Sequence, residues 1–254
     1  FELPASMSAY PYGCEDQVIT TAVASHTPDV DNVWGILQTG STVGSEANVN
    51  ATGSSTATSA GVLTIRNNPY FQTIIKTPSV INNEIMMFCG FARDPGAAIL
   101  NSSGLALTGV GFLKHPNNDR WLATGRSSSG TVDTDEVSDT VTACTVYKLE
   151  MGVASNMGLA SDEEWVYWSI NNFQFTRHQD SLSPDILPLP DHTLTNIGFG
   201  ALQPVVCVKN HVAGTVKQLK VSYLYFESGN RFFDATTYDD LMKRLGSNFG
   251  TQFS

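Results

Sequence analysis

Two acidic runs are the candidates for a hydrolytic site. They are Asp133-Thr134-Asp135-Glu136 and Asp162-Glu163-Glu164. A retaining glycosidase needs two carboxyl groups about 5 to 5.5 Å apart, one as nucleophile and one as acid and base. Both runs lie in polar, loop-like surroundings that lack aromatic walls. The sequence therefore favours solvated acidic loops over a hydrolytic site.

The first of these runs could instead bind a cation. Calcium is held by clustered carboxylate and carbonyl oxygens, which Asp133, Asp135 and Glu136 would supply, with Asp139 close by in the chain. The spacing does not match an EF-hand loop. We expect no cofactor, and calcium at these three residues is the alternative.

Histidine and cysteine offer no catalytic or zinc motif. The five histidines are spread along the chain, and no local motif suggests a Ser, His and Asp set. The four cysteines, Cys14, Cys89, Cys144 and Cys207, contain no C-x-x-C pair, which argues against zinc. Free buried thiols are favoured over disulfides. The sequence thus predicts a protein without enzymatic activity.

The charge balance argues against nucleic acid as a partner. The formal net charge is −10, and the 14 Lys and Arg residues are scattered, whereas a phosphate backbone requires a basic face. No apolar run approaches the roughly 20 residues of a membrane-spanning helix. Only 15% of residues are charged, and the chain is rich in Ser, Thr, Gly and Asn, as in extracellular or virion β-proteins.

The positioning elements are predicted to be strands. From residue 61 to residue 228, short apolar runs alternate with turn residues and show no helical periodicity. This pattern is typical of an all-β, two-sheet antiparallel sandwich. One run, WVYWSINNFQF, predicts a hairpin that turns at Asn171-Asn172. Alternation along its first strand places Trp168 and Ile170 on one face and Trp165 and Tyr167 on the other.

The order of these elements resembles the concanavalin A-like lectin/glucanase (laminin G-like) jelly roll, a fold also found in bacteriophage virion proteins. The resemblance rests on PYFQTII (69–75), YKLEM (147–151), the hairpin at 165–175 and the closing strand LKVSYLY (219–225). It implies that Trp168 and Ile170 lie between the sheets. The E-x-D-x-E motif of glycanases with this fold is missing, and so is the alginate-lyase pattern.

Three aromatic residues are candidates for stacking on a sugar: Trp121, Trp165 and Tyr167. The resemblance implies that Trp165 and Tyr167 face the concave ligand side of the sandwich. The alternative, which we favour, is that an N-terminal arm or a neighbouring subunit covers them.

Both ends of the chain are predicted to be contact elements outside the sandwich. Residues 1–60 form an arm or loop region too polar to fold alone. Residues 229–254 form a tail with one short helix, which is marginal without a partner surface. The apolar stripe of this helix would make assembly contacts through Tyr238, Leu241, Met242 and Leu245.

These features together favour a non-enzymatic virion structural protein, such as a phage capsid decoration, head-fibre or tail-associated subunit. Its partners would be copies of itself and other virion proteins, with host surface glycan as a further ligand. The alternative is a secreted, extracellular carbohydrate-binding module of lectin type. A polysaccharide-degrading enzyme is the third alternative, and the missing carboxylate pair argues against it.

Overall fold

The structure is a computed structural model that describes residues 15–19, 25–28, 34–50, 69–81, 83–93, 98–126, 132–155, 164–171, 173–175, 187–188, 202–212 and 214–227. All regular elements in these ranges are β-strands. In this described part of the chain, no helix is long and apolar enough to cross a membrane. The prediction of an all-β antiparallel sandwich is confirmed.

Seventeen strands follow one another along the described chain. They are β1 (Glu15–Ile19), β2 (Ser25–Pro28), β3 (Gly35–Gln38), β4 (Glu46–Asn50), β5 (Tyr70–Lys76), β6 (Ile85–Arg93), β7 (Leu100–Asn101), β8 (Gly104–Leu105), β9 (Gly109–Lys114), β10 (Arg120–Arg126), β11 (Val132–Thr140), β12 (Val146–Ser155), β13 (Glu164–Ile170), β14 (Phe173–Phe175), β15 (Leu187–Pro188), β16 (Leu202–Asn210) and β17 (Gln218–Glu227).

Two large sheets make up the sandwich. The seven-stranded sheet has the order β1-β4-β16-β6-β9-β10-β11. The eight-stranded sheet has the order β14-β13-β12-β5-β17-β3-β2, with β15 paired to β13. All of these pairs are antiparallel. Many neighbours are distant in sequence, so strand order depends on long-range pairing.

Alternate side chains of both sheets meet in the core between them. Phe71 of the eight-stranded sheet packs edge-on against Phe91 of the other, with ring centroids 5.7 Å apart. Trp168 packs against Phe112 in the same way at 5.1 Å. Such edge-to-face pairs add to the stabilisation from burial of the rings. The predicted burial of Trp168 and Ile170 is confirmed, since they are 1% and 4% exposed.

The predicted hairpin is present. Strands β13 and β14 pair antiparallel, with Ile170 opposite Phe173. Asn171 begins the turn with φ of 54°, a left-handed conformation that asparagine tolerates better than most residues. Its backbone N–H and side-chain oxygen both bond to the backbone of Lys148, which ties the turn to β12.

The predicted arm over residues 1–60 is wrong for residues 34–50, which belong to the sandwich. Strand β3 pairs with β17, and β4 lies between β1 and β16. Leu37 and Val49 are at most 1% exposed in the core. A polar segment is incorporated here because alternate small and apolar residues suffice once both neighbouring strands supply the backbone hydrogen bonds.

The outer face of the seven-stranded sheet carries a second apolar cluster. Residues 98–108 lie over it, with Ile99, Leu100 and Leu105 buried against side chains such as Phe88. Glu46, fully buried, accepts hydrogen bonds from the backbone N–H groups of Ile99 (2.8 Å) and Leu100 (3.1 Å). One face of the sandwich is therefore covered by the chain itself.

Cysteines follow the sequence prediction only in part. Cys89 and Cys207 are buried free thiols, whereas Cys144 is a free thiol exposed in a turn, with φ of 53°. Its neighbours form a strand-like run in the sequence, but strand β12 begins only at Val146, so the thiol lies in the connection before this strand. Cys14 lies outside the described residues.

Candidate functional site

A row of four side chains crosses the outer face of the eight-stranded sheet. The register places Ser169 of β13 opposite Glu150 of β12, Glu150 opposite Gln72 of β5, and Gln72 opposite Tyr225 of β17. Residues directly opposite on neighbouring strands have side chains on the same face. The row therefore forms one continuous polar and aromatic strip.

Glu150 is the centre of this strip. Its Oε1 accepts hydrogen bonds from Tyr70 Oη (2.7 Å) and Gln72 Nε2 (3.0 Å), and Lys148 Nζ lies 3.1 Å away. Ser169 Oγ donates to Oε2 at 3.4 Å. A carboxylate can accept all four contacts, since it offers about four lone-pair sites. Residues of three strands hold this side chain in place. It is 16% exposed, so it still meets solvent.

Two tyrosines lie on the side of this carboxylate where β5 and β17 follow β12 in the sheet. The rings of Tyr70 and Tyr225 stand edge to face, with centroids 6.1 Å apart. Both side chains are partly exposed. An aromatic ring offers an apolar surface to the C–H face of a sugar, and polar groups fixed beside it can bond to hydroxyls.

A β-bulge in β17 determines that Tyr225 belongs to this face. The register shifts between Val221 and Tyr223, so that Val221 pairs with Ile75 and Tyr223 pairs with Ile74. After the shift Leu224 is buried in the core at 2% exposure, and Tyr225 is partly exposed on the outer side. Such an extra residue reverses the faces of all positions that follow it.

Trp121 does not belong to a ligand face, which corrects the prediction for this residue. It is fully buried between the sheets, where its ring packs edge-on against Phe112 (6.4 Å) and Tyr147 (5.9 Å). The reason is its position on β10, where alternation turns it inward together with Ala123.

Trp165 and Tyr167 lie on β13, but their side chains are outside the described residues. Their backbone positions are known: Tyr167 lies opposite Gly152, and Gly152 lies opposite Tyr70. Tyr167, Gly152 and Tyr70 therefore form one row across three strands. This row lies next to the row that contains Glu150. The role of Tyr167 as a sugar-stacking residue stays a prediction.

The acidic run 133–136 is part of strand β11, so the prediction of a loop there is wrong. Asp133 pairs with Gly125, Asp135 with Ala123 and Glu136 with Leu122. Strand β11 is the edge strand of its sheet. The side chains of these acidic residues are outside the described part of the structure. Among the described residues, no group of three metal-ligating side chains occurs. The helical stripe Tyr238, Leu241, Met242 and Leu245 also lies outside the described residues.

No protein-family model and no curated protein matches the chain. Solved structures do match it. The carbohydrate recognition domain of Emp47p superposes with a TM-score of 0.51 at 10% identity, over 89% of this chain and 94% of that domain. The fold is a jelly-roll sandwich of the concanavalin A type. Two alginate lyases are also similar. One, from Pseudomonas aeruginosa, matches with a TM-score of 0.48 and 12% identity over 80% of this chain and 85% of that one. The other, of family 7, matches with a TM-score of 0.49 and 12% identity over 81% of this chain and 82% of that one.

The prediction of a non-enzymatic virion structural protein is corrected: alginate lyases are among the solved structures that the chain matches, so this fold does not exclude an enzyme. The prediction that the chain is not an enzyme is corrected for the same reason. Both predictions rested on the absence of local catalytic motifs, and a site assembled from separate strands leaves no such motif. At 10 to 12% identity the matches show the fold alone.

The four residues of the strip were missed by the sequence analysis: Gln72, Glu150, Ser169 and Tyr225. Tyr70 and Lys148, which contact Glu150 from the neighbouring rows, were missed as well. A local signal exists in two places, where Y-x-Q begins β5 and K-x-E occurs within β12, since polar residues at alternate positions of an apolar strand mark a solvent-facing side.

Proposed function

We propose that this chain binds a polysaccharide on the outer face of its eight-stranded sheet. The observation that carries the proposal is the Glu150 carboxylate held by Tyr70, Gln72 and Ser169 beside the paired rings of Tyr70 and Tyr225. An extracellular location, already an alternative from the sequence, suits such a ligand.

The strip has the two properties that sugar recognition requires. The tyrosine rings supply apolar surface at low entropic cost, because each has few rotatable bonds. The carboxylate accepts hydrogen bonds from sugar hydroxyls, and its position is fixed in advance by contacts from three strands, β5, β12 and β13. Fixed groups lose little freedom when the ligand binds, which favours affinity.

The test is binding of wild-type protein and the variants Tyr70→Ala and Tyr225→Ala to a panel of soluble polysaccharides, measured by affinity electrophoresis and calorimetry. Each variant should bind at least about tenfold more weakly, which corresponds to roughly 1.4 kcal/mol. Val43→Ala is the control, because Val43 is 62% exposed and lies in a loop away from the strip. Unchanged affinity in both tyrosine variants would contradict the proposal.

Cleavage of the bound polysaccharide is the second candidate function. The observation that favours it is the 2.7 Å hydrogen bond between Tyr70 Oη and Glu150 Oε1, which pairs a proton donor with an acceptor on a solvent-facing surface. General acid–base catalysis requires such a pair within hydrogen-bond reach of the substrate.

Incubation with each polysaccharide that binds, followed by assay of new chain ends, tests this second function. Glu150→Gln keeps the shape of the side chain and a hydrogen-bonding oxygen but removes the base. Loss of product with retained binding supports cleavage by this pair. Product formation at the wild-type rate in Glu150→Gln contradicts it.

A further inference from the structure

The outer faces of the two sheets differ in what covers their apolar side chains. Residues 98–108 lie over the outer face of the seven-stranded sheet and complete a buried apolar cluster there. On the outer face of the eight-stranded sheet, Ile36 of β3 and Ile74 of β5 stay partly exposed, and so do Tyr70 and Tyr225. A partly apolar face of this kind, beside polar groups in fixed positions, is typical of a ligand-binding surface.

Trp34 belongs to this outer face. It directly precedes β3, along which buried and partly exposed residues alternate. Leu37 is buried in the core between the sheets, whereas Trp34 and Ile36 are partly exposed. Successive side chains of an extended chain point to opposite faces, so Trp34 lies on the same side of the sheet as Ile36, away from the core.

The register places Trp34 close to the aromatic end of the strip. Gly35 lies opposite Val221 of β17, and the β-bulge follows between Val221 and Tyr223. Trp34 continues from Gly35 in the direction of Tyr225, which is two residues beyond Tyr223. With about 4.8 Å between strands and about 3.4 Å per residue, Trp34 and Tyr225 are roughly 8 to 10 Å apart along the sheet.

Trp34 differs from the buried tryptophans of the core. Trp121 and Trp168 each pack edge-on against Phe112 between the sheets. Trp34 instead presents part of its surface to solvent on the face that carries Glu150. An indole has a broad apolar face that can stack on the C–H face of a sugar, and its Nε1–H can donate to a hydroxyl. The side chain is therefore suited to the same ligand as the tyrosines of this face.

We propose that Trp34 is a second stacking position of the polysaccharide site, and that the ligand is an extended chain of several sugars that crosses the strands from Glu150 to β3. This inference rests on the proposed polysaccharide-binding function. The sheet order from the strand of Glu150 is β12-β5-β17-β3, so three steps of about 4.8 Å give a span of roughly 14 Å. One sugar ring is shorter than this span, so only a chain contacts both Glu150 and Trp34. Two linked contacts raise affinity, because the second forms within an existing complex.

The experiment measures how affinity depends on the length of the sugar chain. The probes are disaccharides, tetrasaccharides and hexasaccharides of the maltose, cellobiose and galacturonate series, together with soluble amylose, hydroxyethylcellulose and polygalacturonate. Calorimetry gives the affinity of wild type, Trp34→Ala and Trp34→Phe for each probe, and tryptophan fluorescence is recorded in the same titrations. Val146→Ala is the control, because it removes a 47% exposed apolar side chain from the same face, at the start of β12.

We expect the affinity of wild type and of Val146→Ala to rise with chain length. Trp34→Ala should lose about tenfold in affinity for the longest chains and little for the disaccharide, whereas Trp34→Phe should keep most of the affinity and lose part of the fluorescence change. A length dependence that Trp34→Ala leaves unchanged, or an equal loss at every length, overturns this inference and leaves the proposed function, which the tyrosine variants test, standing. Absence of binding by wild type to every probe overturns the proposed function and this inference with it.

Discussion

Tyr70 donates a hydrogen bond to Glu150 across 2.7 Å, from β5 to the neighbouring strand β12. The two residues are 80 positions apart in the chain, and their strands pair with Glu150 opposite Gln72, two positions from Tyr70. The contact is therefore diagonal. It links the aromatic part of the strip to its carboxylate, and its removal separates the contribution of the hydroxyl from that of the ring.

Tyr70→Phe keeps the ring and removes the donor. We expect a loss of about 0.5 to 1.5 kcal/mol in the free energy of unfolding, the usual net value of one hydrogen bond, because Glu150 keeps its contacts with Gln72, Lys148 and Ser169. Denaturant titration measures it. Polysaccharide binding should fall less in Tyr70→Phe than in Tyr70→Ala, and equal losses would mean that the ring contributes nothing.

Trp168→Ala should cost roughly 3 to 5 kcal/mol in the free energy of unfolding. The side chain is 1% exposed and packs against Phe112 from the opposite sheet, so its removal leaves a cavity between the two layers. Urea unfolding followed by circular dichroism gives the value. Val43→Ala, at an exposed loop position, is the matched control and should change stability by less than about 0.5 kcal/mol. A loss below about 1 kcal/mol for Trp168→Ala would contradict the packing described above.

Glu46→Gln should change how stability depends on pH. Burial raises the pKa of Glu46 above its ordinary value of 4.5, and this effect outweighs the backbone N–H groups of Ile99 and Leu100 and the charge of Lys209, which lower it. The folded state then retains a proton that the unfolded state releases. Stability from this group is present below about pH 4.5 and is lost as pH rises through the folded-state pKa.

This prediction is tested by measuring the free energy of unfolding of wild type and of Glu46→Gln from pH 4 to pH 8, at intervals of about half a pH unit. The glutamine side chain of the variant cannot ionise, so the free energy of unfolding of wild type should fall relative to that of Glu46→Gln as pH rises. A wild type that instead gains stability relative to the variant as pH rises would show that the ionised carboxylate is the favoured partner of Ile99 and Leu100.

Cys144 should react with a thiol reagent in the native protein, whereas Cys89 and Cys207 should react only after unfolding. Cys144 is exposed in a turn. Burial raises the pKa of the Cys89 and Cys207 thiols far above the ordinary value, which suppresses the reactive thiolate. Cys144→Ser should remove one equivalent from the fast phase of a colorimetric titration, and Cys89→Ser should remove none. An unchanged fast phase in Cys144→Ser would be the contrary result.

The local structure of the sandwich followed from the amino-acid sequence alone. Alternation of apolar and polar residues predicted strands, because a pleated strand places successive side chains on opposite faces. The turn that begins at Asn171 followed from residues within one hairpin, whereas the burial of Trp168 and Ile170 followed from the resemblance to the jelly-roll fold, and the structure confirms both. A turn depends on neighbours in sequence, so a single chain segment contains the information for it.

Long-range pairing within the folded sandwich set which strands became neighbours and which faces were covered. Alternation from Val221 would turn Tyr225 toward the core, and the bulge in β17 places it beside Gln72 instead. The same alternation could not distinguish the two faces of β10, where Trp121 turned out to be buried. Ser169, Glu150, Gln72 and Tyr225 meet in one row because four distant strands pair in a particular register, and the pairing energy depends on the whole sandwich core.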